Sequence, residues 1–246
     1  MKNVKKDLCK YYCYNKKNKF KKNIKKIQNN GIIDLVIFDM DGVLTDTISS
    51  WKYVHDYFGS SNERSVDDYL KGKIDDLEFI KRDVALWKEN GKPITKDKLE
   101  LLLSSIPLMK GSKKCISTLK KYNIKTSIIS AGLDILAKKV AKQLEIDYVY
   151  ANGLKTDENG FLTGEGILGV ELIRKDKNVI KLSKKLDIPL ENIAAVGNSC
   201  FDIPMLDNCG VAIAFNPEDE CIKKAADVII EEKDLVKILD YIKNYI

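Results

Sequence analysis

The sequence predicts an α/β protein in which a doubly wound parallel sheet carries a small inserted helical cap domain. The apolar run Leu35–Phe38 has the length and composition of a buried parallel strand. Residues 47–105 show helical spacing without convincing strands, and from residue 106 onward strand and helix patterns alternate. A chain of 246 residues is long enough for one such core and an insertion.

The individual elements follow from periodicity, caps and turn residues. In the cap, the spacing of Ile80, Val84 and Trp87 predicts a helix over 75–90, and Thr95 is the predicted N-cap of the next helix. Closely spaced glycines from Gly153 onward predict a small β-hairpin or flap. The other predicted helices are 47–58, 95–103, 112–122, 133–144, 176–186 and one from 234, and the predicted strands are 32–38, 124–129, 148–151, 193–196, 211–215 and 227–230.

Positive charge is concentrated at the N-terminal end. Residues 1–30 hold 11 lysines and one acid, Asp7, so the formal net charge of +6 comes from this segment. We expect a basic, disordered tail over 1–30, a core formed by 31–46 and 106–246, and a helical cap over 47–105. Contact between the tail and nucleic acid or an anionic surface is the alternative. Elsewhere in the chain we expect no nucleic-acid partner.

Composition argues against several function classes. No stretch reaches the roughly 18 apolar residues of a membrane helix, and the basic N-terminal segment lacks the apolar region of a signal peptide. We therefore expect a cytoplasmic monomer or homodimer with no membrane partner. His55 is the only histidine, which argues against Ser-His-Asp and multi-histidine zinc chemistry. The six cysteines show no paired CxxC spacing.

Two aspartates directly follow the first predicted strand. Asp39 and Asp41 are two positions apart on an extended chain, so their side chains point the same way. They should meet at the carboxyl end of the strand, where open α/β sheets bind ligands, and Gly42 permits a sharp turn beside them. Two adjacent carboxylates repel each other unless a cation or a shared proton relieves them. An Asp-rich turn without chemistry is the alternative interpretation.

The run LVIFDMDGVLTD resembles the first motif of the haloacid dehalogenase (HAD) superfamily, and residues 32–245 resemble its phosphoserine phosphatase group. The resemblance implies a Rossmann-like core and a Mg²⁺-dependent phosphomonoesterase for a small phosphorylated metabolite. Phosphoserine, and hence serine biosynthesis, is the leading candidate. It implies that Asp39 is the nucleophile that forms an aspartyl phosphate and that Asp41 is the general acid and base. A phosphomutase of the same superfamily and a noncatalytic binding or regulatory module are the alternatives.

The same resemblance assigns phosphate binding to Ser130, Ala131 and Lys177. Ser130 ends an apolar strand before a predicted helix, where a hydroxyl and main-chain N–H groups can hold phosphate. An ordinary N-cap serine is the alternative. Lys177 matches the third-motif lysine by order and spacing, and Arg174 and Lys175 are the competing assignments.

The fourth motif lies in AAVGNSCFDIPML, residues 194–206. Asn198 stands where the family usually has its first acid, and Asp202 is the second. The resemblance implies a Mg²⁺ site formed by Asp39, the main-chain carbonyl of Asp41, Asn198, and Asp202 directly or through water. An amide oxygen can bind a hard cation but carries no charge, so we expect a weaker site.

Substrate selectivity is expected to come from the cap. Ile48 stands where phosphoserine phosphatases carry a glutamate that binds the substrate ammonium. The cap arginine that would bind the substrate carboxylate is assigned to Arg82, with Asp83 as the alternative position. Trp51 follows the DxD loop closely enough to reach the leaving group. Loss of the glutamate predicts weaker selectivity for phosphoserine.

Overall fold

The structure, a computed structural model, describes residues 31–245. The predicted basic tail over residues 1–30 lies outside the described residues. The strands are β1 (Leu35–Phe38), β2 (Lys88–Glu89), β3 (Lys92–Pro93), β4 (Lys125–Leu133), β5 (Tyr148–Thr156), β6 (Leu162–Ile167), β7 (Ile193–Gly197), β8 (Val211–Phe215) and β9 (Val228–Ile230). The helices are α1 (Ser50–Tyr57), α2 (Glu63–Leu70), α3 (Asp76–Ala85), α4 (Lys96–Ser104), α5 (Ser112–Lys121), α6 (Asp134–Leu144), α7 (Asp176–Leu186), α8 (Ile203–Leu206), α9 (Glu220–Ala225) and α10 (Leu239–Ile242).

Seven strands form one sheet in the order β6-β5-β4-β1-β7-β8-β9. All neighbours pair in parallel except β5 and β6, which form the antiparallel hairpin that the glycine pattern predicted. The crossovers leave β1 in the middle, with Leu35 level with Lys125 of β4 on one side and Ile193 of β7 on the other. The predicted fold class, a doubly wound parallel sheet with helices on both faces, is confirmed.

Strand β1 is buried on both of its faces. Val36 and Phe38 belong to one hydrophobic cluster, and Leu35 and Ile37 belong to the second cluster on the opposite face. This alternation is the period-two pattern of an extended strand. Because both faces are covered, a continuous apolar run rather than an alternating one encodes the strand.

Helices α1 to α4 lie between β1 and α5 and surround the short ribbon β2–β3. The Thr95 hydroxyl accepts a hydrogen bond from the Lys98 N–H at 3.2 Å, as expected for the predicted N-cap. The helix predicted over 75–90 ends earlier, at Ala85, and residues 88–93 form the ribbon instead, with Asn90 and Gly91 at positive φ in the turn between its strands. Helix α2 was not predicted.

Within residues 31–245, none of the helices combines the length and the apolar character that a bilayer span requires.

Candidate active site

Three neighbouring strands end at the same edge of the sheet and bring the predicted site residues together. Asp39 follows β1, Ser130 lies near the end of β4, and Asn198 follows β7. The strand order changes direction at β1, and such a switch point leaves a crevice at the carboxyl ends of the strands. A cavity of about 410 Å³ opens there between the sheet and helices α1 to α3, and Asp39, Ser130 and Asn198 line it.

The turn after β1 is built tightly around Gly42. This residue has φ of +79°, which disfavours other residue types. A Cβ atom at Gly42 would lie 2.1 Å from Asn198 Nδ2, so the turn packs directly against that amide. The Thr45 hydroxyl donates to the Met40 carbonyl at 3.1 Å and closes the turn. Asn198 therefore packs against the DxDG turn that carries the two aspartates.

Asp39 is held by a buried lysine. Lys175 Nζ lies 2.8 Å from Asp39 Oδ1 and 2.6 Å from Asp202 Oδ1, and all three side chains are at least nine-tenths buried. Burial and the neighbouring Asp202 raise the pKa of Asp39, and Lys175 opposes this rise. Burial alone would lower the pKa of Lys175, but the two carboxylates outweigh it and raise that pKa. The lysine is therefore a fixed positive charge at the base of the cavity.

Both carboxylate oxygens of Asp202 accept hydrogen bonds within the protein. Its Oδ1 binds Lys175, and its Oδ2 accepts the main-chain N–H groups of Asn198 at 2.9 Å and Ser199 at 3.1 Å. Ser199 and Asp202 also form a capping box at the start of a short 3₁₀ helix. Asp202 thus holds Lys175 and the Asn198 loop in place, and this arrangement disfavours direct coordination of a metal by Asp202.

Asp41 is oriented by the first cap helix. Its Oδ2 accepts the main-chain N–H of Ser50 at 2.7 Å and the Ser50 hydroxyl at 2.8 Å. Its Oδ1 is buried and has no hydrogen-bond partner. Burial raises the pKa of Asp41, and the bonds from Ser50 oppose that rise. A carboxyl group with one oxygen fixed and the other unpartnered is suited to carrying a proton toward a bound substrate.

The irregular C-terminal end of β4 contacts the first cap helix. Ser130 is buried and accepts the Gly132 N–H at 3.1 Å. It is not the N-cap of α6, whose N-cap is Leu133. The Ala131 carbonyl accepts the Trp51 indole N–H at 3.0 Å. A Cβ atom at Gly132 would lie 2.9 Å from Asp41 Oδ2, so the loop, the cap and the second aspartate pack without spare room.

The assignment of Lys177 to the phosphate site is wrong. Lys177 is exposed and pairs with Glu171, whereas Lys175 reaches Asp39. Two positions on a helix are about 200° apart, so Lys175 and Lys177 point to opposite sides. The sequence held a usable signal, because Lys177, Lys181 and Lys184 form an exposed lysine stripe on α7.

The assignment of Arg82 to the substrate pocket is also wrong. Arg82 points away from the cavity, where it pairs with Glu78 and Asp68. Its neighbour Asp83 is buried and lines the cavity, because it lies on the same face of α3 as Ile80. Of the two positions, Asp83 is the one that faces the cavity.

The other two expected selectivity residues line the cavity. Trp51 lines it and also stacks near Trp87 with ring centroids 5.4 Å apart. Ile48 lines it as well, although its side chain is largely exposed.

The atoms of this site that could bind a metal ion are oxygens that together carry little charge. Among residues 31–245 there is no group of three or more His, Cys, Asp or Glu side chains arranged to hold a metal ion. The oxygen donors at the DxD turn are the Asp39 carboxylate, the Asp41 main-chain carbonyl and the amide of Asn198, which packs against Gly42. Their oxygen chemistry fits a hard cation such as Mg²⁺, which commonly keeps several of its waters.

Comparison with known proteins agrees with this geometry. Residues 33–210 match the haloacid dehalogenase-like hydrolase family. The chain therefore belongs to this family. Its curated relatives include the phosphoserine phosphatase of Methanocaldococcus jannaschii, 31% identical over 212 residues that span 85% of this chain and 97% of the relative. The phosphoserine phosphatase of Archaeoglobus fulgidus is 32% identical over 216 residues, which span 85% of this chain but only 60% of that relative.

Solved structures show the same relationship. A phosphoserine phosphatase carrying a phospho-aspartyl intermediate analogue matches with a TM-score of 0.72 and 29% identity over 86% of this chain and 99% of its own. A substrate-bound phosphoserine phosphatase matches with a TM-score of 0.71 and 27% identity over 85% of this chain and 98% of its own. Within the hydrolase family, this chain is phosphoserine phosphatase-like.

Proposed function

We propose that this chain is a Mg²⁺-dependent phosphomonoesterase that acts on a small organic phosphate through an aspartyl-phosphate intermediate. The observation that carries the proposal is the arrangement of Asp39, Asp41 and Lys175 at the base of one cavity. The relatives named above are phosphoserine phosphatases, so phosphoserine is the first substrate to test.

Asp39 is the proposed nucleophile. Its Oδ1 is held by Lys175, which leaves Oδ2 to attack the phosphorus atom. The attack forms the bond between Asp39 and phosphorus and breaks the bond to the leaving oxygen. Lys175 keeps the carboxylate in place and balances the negative charge that the incoming phosphate brings into a buried site. The relative with a phospho-aspartyl intermediate analogue supports this role.

Asp41 is the proposed general acid and base. Its raised pKa favours the protonated form, and its unpartnered Oδ1 can donate that proton to the leaving alkoxide. The resulting carboxylate then accepts a proton from the water that hydrolyses the aspartyl phosphate. Ser50 keeps Oδ2 fixed, so Oδ1 is the oxygen that both proton transfers use.

Asn198 and the Asp39–Asp41 turn would hold the cation. When bound there, Mg²⁺ supplies charge neutralisation at the phosphoryl oxygens and the nucleophile. Main-chain N–H groups around Ser130 and Ala131 remain the proposed phosphate donors on the other side of Asp39. The cap covers this chemistry and limits the access of water.

The direct test is phosphate release from a panel of small phosphate esters, with Mg²⁺ and with a chelator. We expect turnover that depends on Mg²⁺ and is lost with the chelator. Absence of phosphate release from every ester in the panel would contradict the proposal.

A further inference from the structure

Helices α1 to α3 form the side of the cavity that faces the sheet, called the lid side here. It holds a buried carboxylate whose hydrogen bonding is incomplete. Asp83 on α3 is only 3% exposed and lines the cavity. Its Oδ2 accepts the Asn62 side-chain amide at 2.8 Å, but its Oδ1 is buried without any hydrogen-bond partner. A buried carboxylate oxygen without a donor is costly. A donor from a bound molecule would remove this cost.

His55 does not supply the missing donor. The Trp87 indole N–H donates to His55 Nδ1 at 3.2 Å, and an indole nitrogen can only donate. His55 Nδ1 also lies 2.8 Å from the Ser60 hydroxyl oxygen. The other ring nitrogen, Nε2, is 3.3 Å from Asp83 Oδ2 without forming a hydrogen bond, so the imidazole leaves Asp83 Oδ1 unpartnered.

No lysine or arginine within the described part of the chain lies at ion-pair distance from Asp83. Two lysines line the cavity, and both are occupied by other carboxylates. Lys175 binds Asp39 in the core, and Lys52 binds Asp56 at the rim. The lid side of the cavity is therefore negatively charged and has an unused acceptor.

Aromatic rings line the same cavity as this acceptor. Trp51, Tyr69 and Phe79 line the same cavity, and the rings of Tyr69 and Phe79 stack with centroids 5.2 Å apart. Aromatic faces attract cations, most strongly when water is excluded. The rings and the carboxylate together favour an organic cation over an anion.

We propose that Asp83 binds a protonated amine on the leaving group, so that the preferred substrates are phosphate esters of amino alcohols that carry no carboxylate. The inference rests on the proposed phosphatase function and names the substrate class of that site. An ammonium group at Oδ1 supplies both the missing donor and the balancing charge. A carboxylate on the same leaving group would be repelled by Asp83 and would meet no uncommitted lysine or arginine among the described residues lining the cavity.

The test compares kcat/KM of the full chain, with Mg²⁺, on three esters: O-phosphoethanolamine, O-phosphoserine and glycerol 1-phosphate. We expect O-phosphoethanolamine to be the best substrate. Asp83→Asn should lower kcat/KM for O-phosphoethanolamine by about tenfold or more, the effect of losing a charged hydrogen bond. The same variant should leave glycerol 1-phosphate nearly unchanged, and that turnover also shows that the variant is folded.

Asp67→Asn is the matched control. Asp67 lies on the neighbouring cap helix, is exposed and pairs with Lys71, so the variant removes the same charge outside the cavity. It should leave all three values unchanged.

The wild-type order of substrates needs no variant and can overturn the inference alone. A preference for O-phosphoserine over O-phosphoethanolamine, or equal rates on the amine and glycerol esters, would contradict the role of Asp83. An equal loss on all three esters in Asp83→Asn would also contradict it, since that pattern indicates a structural role. Absence of turnover on all three esters would contradict the inference; only absence of turnover on every ester of the wider panel would contradict the phosphatase function as well.

Discussion

The buried carboxylates on the core side of the cavity have different hydrogen-bond and ion-pair partners from the buried carboxylate on the lid side. In the core, Asp39 and Asp202 share Lys175, and Asp41 is bonded twice by Ser50. On the lid, Asp83 has an amide and an imidazole beside it and one oxygen with no donor.

The core side of the cavity holds the residues of the proposed chemistry, and the lid side holds the residue proposed to determine substrate selectivity. The core side is arranged to receive a negatively charged phosphoryl group, because the fixed cation Lys175 stands beside the nucleophile. The lid side has no such cation beside Asp83 and offers negative charge. A substrate that satisfies both sides carries an anion at one end and a donor or cation at the other.

The largest expected effect comes from the nucleophile. Asp39→Asn should lower kcat by at least about 10⁴-fold, because an amide oxygen cannot form the covalent intermediate. The fold should persist, since the amide still fits the site. Steady-state phosphate release and a thermal melt measure the two effects. Near-normal turnover in this variant would show that the mechanism is not covalent at Asp39.

The next prediction contrasts two lysines near the start of α7. Lys175→Met leaves Asp39 and Asp202 buried without a cation, which should cost about 3–5 kcal/mol of unfolding free energy and nearly all activity. Lys177→Met removes only an exposed pair with Glu171 and should cost less than about 1 kcal/mol. Denaturant unfolding and turnover compare the two variants. Similar losses in the two variants would mean that Lys177 belongs to the phosphate site after all.

A smaller effect is expected where the cap holds the general acid. Ser50→Ala removes the hydroxyl bond to Asp41 Oδ2 and should lower kcat by roughly tenfold with little change in KM. An unchanged kcat, or a change in KM instead, would show that Ser50 does not position Asp41.

A prediction of similar size, on binding rather than on turnover, concerns the metal. Asn198→Asp adds a charged oxygen beside Asp39 and should tighten Mg²⁺ binding by about tenfold, because affinity rises with the number of charged ligands. Calorimetric titration with Mg²⁺ measures the change directly, with Asn198→Ala as the variant that should weaken binding. Unchanged or weaker binding in Asn198→Asp would mean that Asn198 is not a ligand.

The core side was largely predictable from sequence because its determinants are local. A continuous apolar run followed by DxDG specifies a buried strand, its turn and two carboxylates within a few residues. The choice of lysine failed because order and spacing do not say which helix face is buried. The exposed stripe of Lys177, Lys181 and Lys184 would have pointed to Lys175 instead.

The lid was less predictable because its contacts are between helices that are distant in sequence. Helix α2 has few apolar residues, and only Ser65 and Tyr69 are buried, so its periodic signal is weak. The choice of Asp83 over Arg82 could have followed from its place three residues after Ile80, on the face that packs inward. The missing donor at Asp83 Oδ1 is a property of the packed cap and has no sequence signature.

Trapping the phosphorylated enzyme tests the central claim most directly. In Asp41→Asn, p-nitrophenyl phosphate, which needs no general acid for departure of its leaving group, should still phosphorylate Asp39, but the loss of the base should slow hydrolysis of the intermediate. Intact-protein mass spectrometry after acid quench should show one added phosphoryl group per chain, located on the peptide containing Asp39. The double variant Asp39→Asn/Asp41→Asn should show none. A phosphoryl group on another residue, or its persistence in the double variant, would contradict the assignment of Asp39 as the nucleophile.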